Sequence, residues 1–479
     1  MSQLKPAPGP GFGTRMRHLC AIALCAVMAG AGGRAALAAE SSASRVDPAA
    51  IVEHRQQALA YAAGLQAYFY GYPVVDYLRV MRDQITPDRD PGGVYAPVNQ
   101  IAFQDNLAEP GGLYAGRGPN TSTLYFTAWM DLSDEPVLIE APDTAGRYYV
   151  LTYADLYSEV EHSGRRTTGT GAQKMLVVGP DWRGEAPEGV RLIPMRTRYA
   201  YLLGRVLVDG PDDLAAARQV MYGFRMTGTG RSPADFALPD RAALTSLAFF
   251  EVLNRFLREN PRIGGEELLM AQLDQVGIGP GAEFSARNLP AGIRRGLERA
   301  IEDGHRILAD SPLAAPPVTG WSTPRQETYG VYGHDYLRRA MVEFHGFLGN
   351  RAEETIYLSA LTDAAGAPLA GSNRYEIVFP ASGLPPANAF WALNVYDART
   401  VDLIPNAQRR YAVTDRMSDL KRRADGSVVV RLQQTQPVAG DVNWLPVNDG
   451  PLFVTLRFFE PAQEVLAGDY SPPAIRRLP

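Results

Sequence analysis

The stretch that decides the fold class is Thr123-Leu124-Tyr125-Phe126-Thr127-Ala128-Trp129-Met130. Side chains of an extended strand alternate between its two faces. One face of this stretch is apolar and is expected in a core; it holds Leu124, Phe126, Ala128 and Met130. The other face combines hydrogen-bonding groups with large rings; it holds Thr123, Tyr125, Thr127 and Trp129.

Similar short runs between Gly and Pro turns fill residues 94–210 and return after residue 354, which predicts two β regions. In the first region strands are expected at 123–130, 136–140, 147–157, 174–179 and 199–208. In the second they are expected at 354–361, 374–379, 389–396, 427–434 and 452–459.

The residues between these regions, 211–350, follow a helical period instead. Asp240 is the predicted N-cap of a helix that ends at Asn260-Pro261, and further helices are expected at 265–276, 291–309 and 334–349. Asp47-Pro48 begins another helix, which Gly71-Tyr72-Pro73 is expected to break or kink. The sequence therefore predicts an α+β protein in which two β regions bracket a helical middle.

The N-terminus has the pattern of a secretory signal peptide. Lys5, Arg15 and Arg17 precede an apolar stretch, and Ala36-Leu37-Ala38 forms a small-x-small cleavage motif. Cleavage is predicted after Ala38, which indicates a periplasmic or secreted protein.

Removal of residues 1–38 would change the chemistry of the 479-residue chain. Both cysteines, Cys20 and Cys25, lie in that segment, so the mature chain would have neither a disulfide nor a thiol. Four basic residues are lost with it, which takes the net charge from −5 to −9. This balance disfavours nucleic acid as a partner. The uncharged stretch 58–75 indicates a buried helix rather than a transmembrane segment, because glycine and proline interrupt it.

Several phrases occur in order along both β regions. The first region contains Gly118-Pro119-Asn120, Pro142-Asp143-Thr144-Ala145-Gly146-Arg147-Tyr148-Tyr149, Asp155-Leu156-Tyr157 and Arg166-Thr167-Thr168-Gly169-Thr170-Gly171. The second contains Tyr396-Asp397-Ala398, Asn443-Trp444-Leu445-Pro446, Gly450-Pro451 and Tyr470-Ser471-Pro472-Pro473. The phrases resemble a bacterial family with paired domains of unknown function, numbered 1254 and 1214.

The resemblance implies two antiparallel β-sandwich domains of jelly-roll type joined by a helical middle region. The expected segments are a signal peptide at 1–38, a helical lead-in at 47–93, a 1254-type domain at 94–210, a helical connector at 211–350 and a 1214-type domain at 351–479. The resemblance implies no settled reaction. Thr121 and Ser122 also replace an Asn and an Asp of the family phrase.

Strand alternation provides a candidate site. If residues 149–157 are extended, one side carries Tyr149, Leu151, Tyr153, Asp155 and Tyr157. Together with the polar face of 123–130 this side is expected to form an aromatic platform, which suits an organic or sugar ligand. The alternative that helices cover this face stays open.

Roles can be assigned to individual residues of this platform. Asp155 is the candidate general acid or base, supported by Tyr157, and Arg166 would neutralise an anionic ligand or a developing oxyanion. The predicted ligand-binding residues are Asn120, Thr123, Tyr125, Trp129 and Tyr153.

These residues predict an exported protein that binds a small organic or carbohydrate-like ligand and carries out, in one version, a carboxylate-assisted hydrolysis or elimination. A non-catalytic envelope protein that assembles or binds a partner is the first alternative. A metal-dependent enzyme that uses Glu159, Glu161 and His162 is the second. The sequence leaves open the cofactor, the presence of catalysis and the formation of a homo-oligomer.

Overall fold

The computed structural model describes residues 47–87, 94–112, 116–229, 238–261, 263–311, 320–322 and 329–479. The predicted signal peptide, including Cys20 and Cys25, lies outside these residues. The described chain mixes helices with sheets whose strands are mainly antiparallel. Residues Val52–Pro479 pack as one unit.

Eight α-helices lie in the described ranges. They are α1 (Pro48–Ile85), α2 (Arg165–Thr168), α3 (Leu214–Met221), α4 (Ala248–Glu259), α5 (Glu267–Asp274), α6 (Ala291–Asp310), α7 (Tyr336–Gly346) and α8 (Gln463–Leu466). None of these helices has the length and apolar character that crossing a membrane requires. The helices expected at 265–276, 291–309 and 334–349 are confirmed as α5, α6 and α7.

Helix α1 continues through Pro73, so the predicted break at Gly71-Tyr72-Pro73 is wrong. Every residue from 67 to 81 is buried, and packing on all sides outweighs the hydrogen bond that proline cannot make. Gly71 has a packing role instead. A β-carbon there would lie 2.8 Å from Leu253 Cδ2 of α4, so the glycine lets the two helices approach closely.

The first nine strands form the N-terminal β unit. They are β1 (Ala102–Phe103), β2 (Thr123–Asp131), β3 (Val137–Ala141), β4 (Tyr149–Asp155), β5 (Val160–Gly164), β6 (Gln173–Val178), β7 (Val190–Pro194), β8 (Tyr199–Leu207) and β9 (Arg225–Thr227). A large sheet has the order β1-β2-β8-β4-β5, and a small sheet has the order β7-β6-β3-β9. Only the β6–β7 pair is parallel among the described strands of this unit.

The remaining strands form the C-terminal β unit. They are β10 (Trp321–Ser322), β11 (Thr355–Ala360), β12 (Tyr375–Phe379), β13 (Ala387–Asp397), β14 (Asp402–Leu403), β15 (Ala412–Thr414), β16 (Val428–Gln433), β17 (Asn443–Pro446), β18 (Leu452–Pro461) and β19 (Arg476–Arg477). The large sheet has the order β10-β11-β18-β13-β14, with β15 also paired to β13, and the small sheet has the order β17-β16-β12-β19.

The two units have the same strand order. If β1 to β9 are matched in chain order with β10 to β19, and β14 and β15 together replace β5, one pair of sheets becomes the other. The single parallel pair is also matched, because β16 and β17 are parallel as β6 and β7 are. The chain therefore contains a repeated topology, although no internal sequence repeat is evident.

Each unit has its own apolar core, which contains residues of both its large and its small sheet. The N-terminal core includes Phe126 of β2 and Ile139 of β3, and the C-terminal core includes Leu456 of β18 and Ile377 of β12. The prediction that Leu124, Phe126, Ala128 and Met130 face a core is confirmed.

A third apolar cluster, here called the helical cluster, covers the other face of the N-terminal large sheet. It joins residues of α1, α4 and α6, such as Tyr68, Phe250 and Leu297, to Trp129 and Tyr201 of the sheet. Among the described residues it includes no side chain of the C-terminal β unit.

The two large sheets meet directly in a small cluster made of Tyr148, Val150, Leu207, Phe390 and Phe459. The rings of Phe390 and Phe459 stack with centroids 4.1 Å apart, and Tyr148 packs edge-on against both. Leu207 and Phe459 hold equivalent places in β8 and β18. This contact brings the outer faces of both large sheets together.

Candidate functional site

Two arginines occupy equivalent positions in the two large sheets. Arg205 of β8 lies opposite Tyr125 of β2, and Arg457 of β18 lies opposite Tyr357 of β11. Alternate residues of both strands face the unit cores, so these arginines point out of the cores. Arg205 is 9% exposed and Arg457 is 8% exposed. Each unit thus presents one buried arginine beside one tyrosine.

Both guanidinium groups lie against aromatic rings. The Arg205 guanidinium carbon is 5.6 Å from the centre of the Tyr125 ring. The corresponding distances from Arg457 are 5.1 Å to Tyr357 and 5.9 Å to Tyr396. Such contacts are worth about 0.5–2 kcal/mol, which offsets only part of the free energy lost when a cation leaves water.

The two arginines lack the usual partner of a buried cation. Among the described residues no carboxylate lies within 4.0 Å of either guanidinium. Arg205 Nη1 makes long contacts of 3.5 Å to Thr152 Oγ1 and 3.4 Å to Asn350 Oδ1. Arg457 Nη2 donates to the Gly118 carbonyl and, at 2.7 Å, to the Tyr396 hydroxyl. Two buried positive charges therefore face neutral groups.

Asn350, which lies between α7 and β11, connects the two arginines. Its Oδ1 faces Arg205, and its Nδ2 donates to the Tyr357 hydroxyl at 3.1 Å. The Tyr357 ring in turn lies against Arg457. We call the network of Arg205, Tyr125, Asn350, Tyr357, Arg457 and Tyr396 the arginine pair site. It lies between the two β units.

Three buried polar atoms beside Arg457 have no hydrogen-bond partner among the described residues. They are Arg457 Nε, Thr455 Oγ1 and Asn394 Oδ1. Thr455 of β18 and Asn394 of β13 are cross-strand neighbours, and Thr455 lies two residues from Arg457 on the same strand face. Buried polar groups in proteins are nearly always satisfied. These atoms could accept or donate hydrogen bonds to another molecule or to water.

The loop Gly118-Pro119-Asn120 reaches this site from the N-terminal unit. The Pro119 carbonyl accepts the Tyr396 hydroxyl at 2.9 Å. Asn120, predicted to bind ligand, turns inward: its Nδ2 donates to Thr123 Oγ1 at 2.7 Å, and its Oδ1 accepts the Ser122 N–H at 2.9 Å. Asn120 and Thr123 therefore shape the loop. Thr121 contacts the other unit, because its Oγ1 accepts Asn394 Nδ2 at 3.3 Å.

A neutral histidine adjoins the Arg205 end of the site. His162 of β5 is buried; its Nδ1 lies 3.3 Å from Thr152 Oγ1, and its Nε2 accepts the Arg351 N–H at 3.4 Å. Burial, together with the nearby charges of Arg166, Arg351 and Arg205, holds the pKa of His162 well below its ordinary value. The imidazole therefore adds no further charge at neutral pH.

Two other arginines between the units do have carboxylate partners. Arg166 Nε donates to Glu354 at 2.9 Å, and Glu354 also accepts the Tyr148 hydroxyl at 2.8 Å. Arg165 pairs with Glu460. The structure thus places Arg166, predicted to neutralise a ligand, in an ion pair that already neutralises it.

The prediction of one shared tyrosine platform is wrong. Residues directly opposite one another share a face, and Arg205 of β8 lies opposite both Tyr125 of β2 and Val150 of β4. The odd-numbered residues of β2 therefore share a face with the even-numbered residues of β4. Tyr153 consequently points into the N-terminal core, on the side opposite Tyr125 and Trp129.

Helices cover part of the predicted platform, as the open alternative held. Trp129 Nε1 donates to Gln84 Oε1 of α1 at 2.8 Å, and the Trp129 ring packs on Tyr201. Trp129 therefore belongs to the helical cluster. Of the predicted ligand-binding residues, Tyr125 is the one that lies beside a buried arginine.

Asp155 and Tyr157 lie at the far end of β4 from the arginine pair site. Asp155 accepts the Tyr157 and Glu159 N–H groups and forms an ion pair with Arg196 at 2.6 Å. The Tyr157 hydroxyl hydrogen-bonds the Tyr70 hydroxyl at 2.9 Å within the helical cluster. Asp155 thus fixes a turn. As the candidate general acid or base, Asp155 therefore does not contact Arg166.

The three residues of the metal-enzyme alternative face different partners. Glu159 accepts the Tyr332 and Gly333 N–H groups, Glu161 pairs with Arg351, and His162 faces Thr152. Within the described ranges no group of three or more His, Cys, Asp or Glu side chains is arranged to hold a metal ion. The predicted ligand set does not come together.

The arrangement defines a class of protein: two β units of one strand order, joined by helices, with a buried arginine from each unit between them. Residues 98–228 match the family model described as a protein of unknown function, DUF1254. Residues 354–463 match the model described as a protein of unknown function, DUF1214. The chain therefore belongs to the family in which these two domains follow one another, as its sequence phrases predict.

Two solved structures are similar to this chain. The VPA0106 protein from Vibrio parahaemolyticus has a TM-score of 0.68 at 21% identity, over 88% of this chain and 100% of its own. An uncharacterized protein from Burkholderia cenocepacia has a TM-score of 0.44 at 13% identity, over 88% of this chain and 95% of its own. The first similarity shows a shared fold and nothing about activity. No curated protein matches the sequence.

Sequence reasoning missed Arg205, Asn350 and Tyr357, and it did not place Arg457 beside them at the arginine pair site. Tyr125-x-Thr127 and Tyr357-x-Ser359, each opposite an arginine, share a pattern, but the distance along the chain hides it. A signal was present in β8, where Arg205 is the one charged residue of the strand, and in β18, where Arg457 stands between the apolar residues Leu456 and Phe458. Burying an arginine in such a strand costs free energy unless its charge is paired.

Proposed function

We propose that this protein binds a small organic anion between its two β units, with Arg205 and Arg457 as the charged contacts. The observation that carries the proposal is the burial of both guanidiniums without a carboxylate among the described residues. An unpaired buried charge destabilises a protein, whereas an anionic ligand would turn the same charge into a binding contact.

The surroundings favour an organic anion over an inorganic one. Tyr125, Tyr357 and Tyr396 offer ring surface beside the guanidiniums, which suits the carbon skeleton of a ligand. A neutral sugar would leave both arginines without a countercharge. Of the predicted small organic and carbohydrate-like ligands, the charge of the site supports the acidic ones. Asp155 and Tyr157 lie away from this site. We therefore propose ligand binding alone, without a hydrolase or lyase reaction that uses these two residues.

We also propose that residues 1–38 direct export to the periplasm and are removed after Ala38, which the basic, apolar and small-residue order supports. Each β unit is further proposed to be a jelly-roll-like sandwich domain. A core shared by a large and a small sheet in each unit supports this proposal, as does the family resemblance.

The test is ligand binding by the purified mature chain. Thermal shift and titration calorimetry would compare benzoate, terephthalate, adipate and inorganic phosphate with neutral benzamide. We expect at least one organic anion to raise the melting temperature in a concentration-dependent way, and benzamide to have no effect.

The matched variants are Arg457→Met and Arg431→Met. Arg457→Met should weaken binding of the selected anion at least tenfold, since a charge-assisted hydrogen bond contributes about 1.5–3 kcal/mol. Arg431 is already paired with Glu376 in the small sheet, so Arg431→Met should leave binding unchanged. Stabilisation by none of the anions, or equal affinity in Arg457→Met, would refute the proposal and favour the non-catalytic assembly protein.

A further inference from the structure

We infer that the anion is a dicarboxylate whose two ends are held by different β units. This inference rests on the proposed function and deepens it. Its basis is that the site contains the same set of side chains twice, once from each unit, in positions that the strand pairing makes equivalent.

Each half of the site consists of an arginine, a tyrosine and a polar side chain on three adjacent strands. In the N-terminal half, Arg205 of β8 lies between Tyr125 of β2 and β4, where Thr152 contacts its guanidinium. In the C-terminal half, Arg457 of β18 lies between Tyr357 of β11 and β13. Asn394 of β13 takes the place of Thr152, because both lie opposite the residue two positions before the arginine.

Charge balance selects the number of anionic groups. The two guanidiniums carry two positive charges, neutral His162 adds none, and no carboxylate of the described residues pairs with either arginine. A monocarboxylate would leave one buried cation without a countercharge. A dianion would balance both.

A ligand with two negative charges can carry both on one group, as phosphate does, or one at each end of a longer molecule. The position of Asn350 favours the second arrangement. Its side chain lies between the halves, with Oδ1 toward Arg205 and Nδ2 toward the Tyr357 hydroxyl. The Tyr125 ring lies against Arg205, and the Tyr357 ring lies against Arg457. Because Asn350 and Tyr357 lie between the two guanidiniums, a carboxylate at each end of an elongated molecule suits this arrangement better than a single phosphate group does.

The unpartnered atoms of the C-terminal half fit one of these carboxylates. Arg457 Nε and the Thr455 hydroxyl are hydrogen-bond donors on the same face of β18, and both are buried without a partner among the described residues. A carboxylate has two oxygens that accept hydrogen bonds, which matches two neighbouring donors.

The experiment compares matched acids by titration calorimetry on the mature chain: terephthalate with benzoate, and adipate with hexanoate. We expect a dicarboxylate to bind at least tenfold more tightly than its monocarboxylate partner. Arg205→Met and Arg457→Met should each remove that advantage, so that both acids of a pair bind alike. Arg431→Met should retain it, because this guanidinium has its own carboxylate.

The outcomes separate this inference from the proposed function. If the monocarboxylates bind as tightly as the dicarboxylates, or if inorganic phosphate binds more tightly than both, the dicarboxylate inference is wrong while anion binding stands. If no anion binds, both fail. Should Arg205→Met or Arg457→Met unfold, Arg205→Lys and Arg457→Lys keep the charge but lose the planar fork, and each should reduce the dicarboxylate advantage. The inference is overturned if either Met variant folds and keeps the full dicarboxylate advantage. Where the Met variants do not fold, it is overturned if both Lys variants keep the full advantage.

Discussion

The N-terminal and C-terminal β units share a strand order but use equivalent positions differently. Two residues before its arginine, β8 has Leu203, which packs in the helical cluster. The equivalent residue of β18 is Thr455, a buried hydroxyl without a partner among the described residues. Helices pack on the outer face of the first sheet, so apolar side chains are needed there. Among the described residues no helical cluster covers the second sheet, and the outer face of that sheet has polar groups at the arginine pair site.

The cores differ in a complementary way. Gly204 of β8 lies opposite Phe126, whereas the equivalent Leu456 of β18 lies opposite Leu358. One unit therefore fills its core with a ring over a glycine, and the other fills it with two leucines. The comparison shows that topology is preserved while volume is redistributed between neighbouring strands.

The sharpest way to break this comparison is Gly204→Leu, which copies the C-terminal residue into the N-terminal unit. A β-carbon at Gly204 would lie 2.1 Å from the Phe126 ring, so we expect a loss of about 3 kcal/mol or more in the free energy of unfolding. Adding Phe126→Leu should recover part of the loss. Urea unfolding measures both.

The control for this variant is Gly171→Leu, because nothing lies within 4 Å of a β-carbon at Gly171. It should change the free energy of unfolding by no more than about 0.5 kcal/mol. If Gly204→Leu were as stable as the Gly171 control, the difference between the two cores would not be a packing requirement.

Arg166→Met tests the paired arginine where the units meet. Glu354 is buried and would lose its charged partner, so the free energy of unfolding should fall by about 2 kcal/mol. The double variant Arg166→Met with Glu354→Gln should recover part of this loss in chemical unfolding. An unchanged Arg166→Met protein would mean that the ion pair does not hold the units together.

His162 makes the N-terminal unit sensitive to acid, and the C-terminal unit contains no histidine. The pKa of His162 is well below 6.5 in the folded state, so below pH 6.5 the unfolded chain binds a proton that the folded chain does not. Stability from this residue is present above pH 6.5 and is lost as the pH falls. The loss between pH 7.5 and 5.5 should be about 1.4 kcal/mol.

His162→Gln should reduce the pH dependence of unfolding by that amount, measured with urea at both pH values. His54→Gln is the control, because His54 is an exposed residue of α1. Identical pH dependence in His162→Gln and the unmodified chain would show that His162 becomes protonated without unfolding.

The smallest effect is expected for Arg457→Met in the absence of ligand. Unlike Arg166, Arg457 leaves no buried carboxylate behind, and methionine fills a similar volume beside the rings of Tyr357 and Tyr396. The free energy of unfolding should stay within about 1 kcal/mol of the unmodified chain. A loss near 3 kcal/mol would show that Arg457 mainly stabilises the contact between the two units and does not serve to bind a ligand.

Much of the local structure could be predicted because it depends on neighbours in sequence. The alternation in 123–130 and the runs at 389–396 and 452–459 correspond to β2, β13 and β18. The α1 prediction failed where the burial of residues 67–81 outweighed the local signal of Pro73. The short strands β5 and β7 were missed because their residues lack a clear alternation.

The candidate site was less accessible to the same reasoning. The sequence placed Tyr125 and Tyr153 each on one face of its own strand, but the relation between those faces depends on the register of β8 between them. A shift of one residue in register exchanges the two faces of a strand. Similarly, the ion-pair partner of Arg166 could not be predicted, because Glu354 is far from it in the sequence.

By itself the sequence determined the family, the two β regions around helices and the apolar face of β2, because these follow from ordered phrases and from the period of side chains along one strand. Only the tertiary structure decided that the two units repeat one topology and that Arg205 and Arg457 both lie between them without a carboxylate among the described residues. The reason is physical. Strand order, register and the neutralisation of a buried charge all depend on residues brought together from distant parts of the chain.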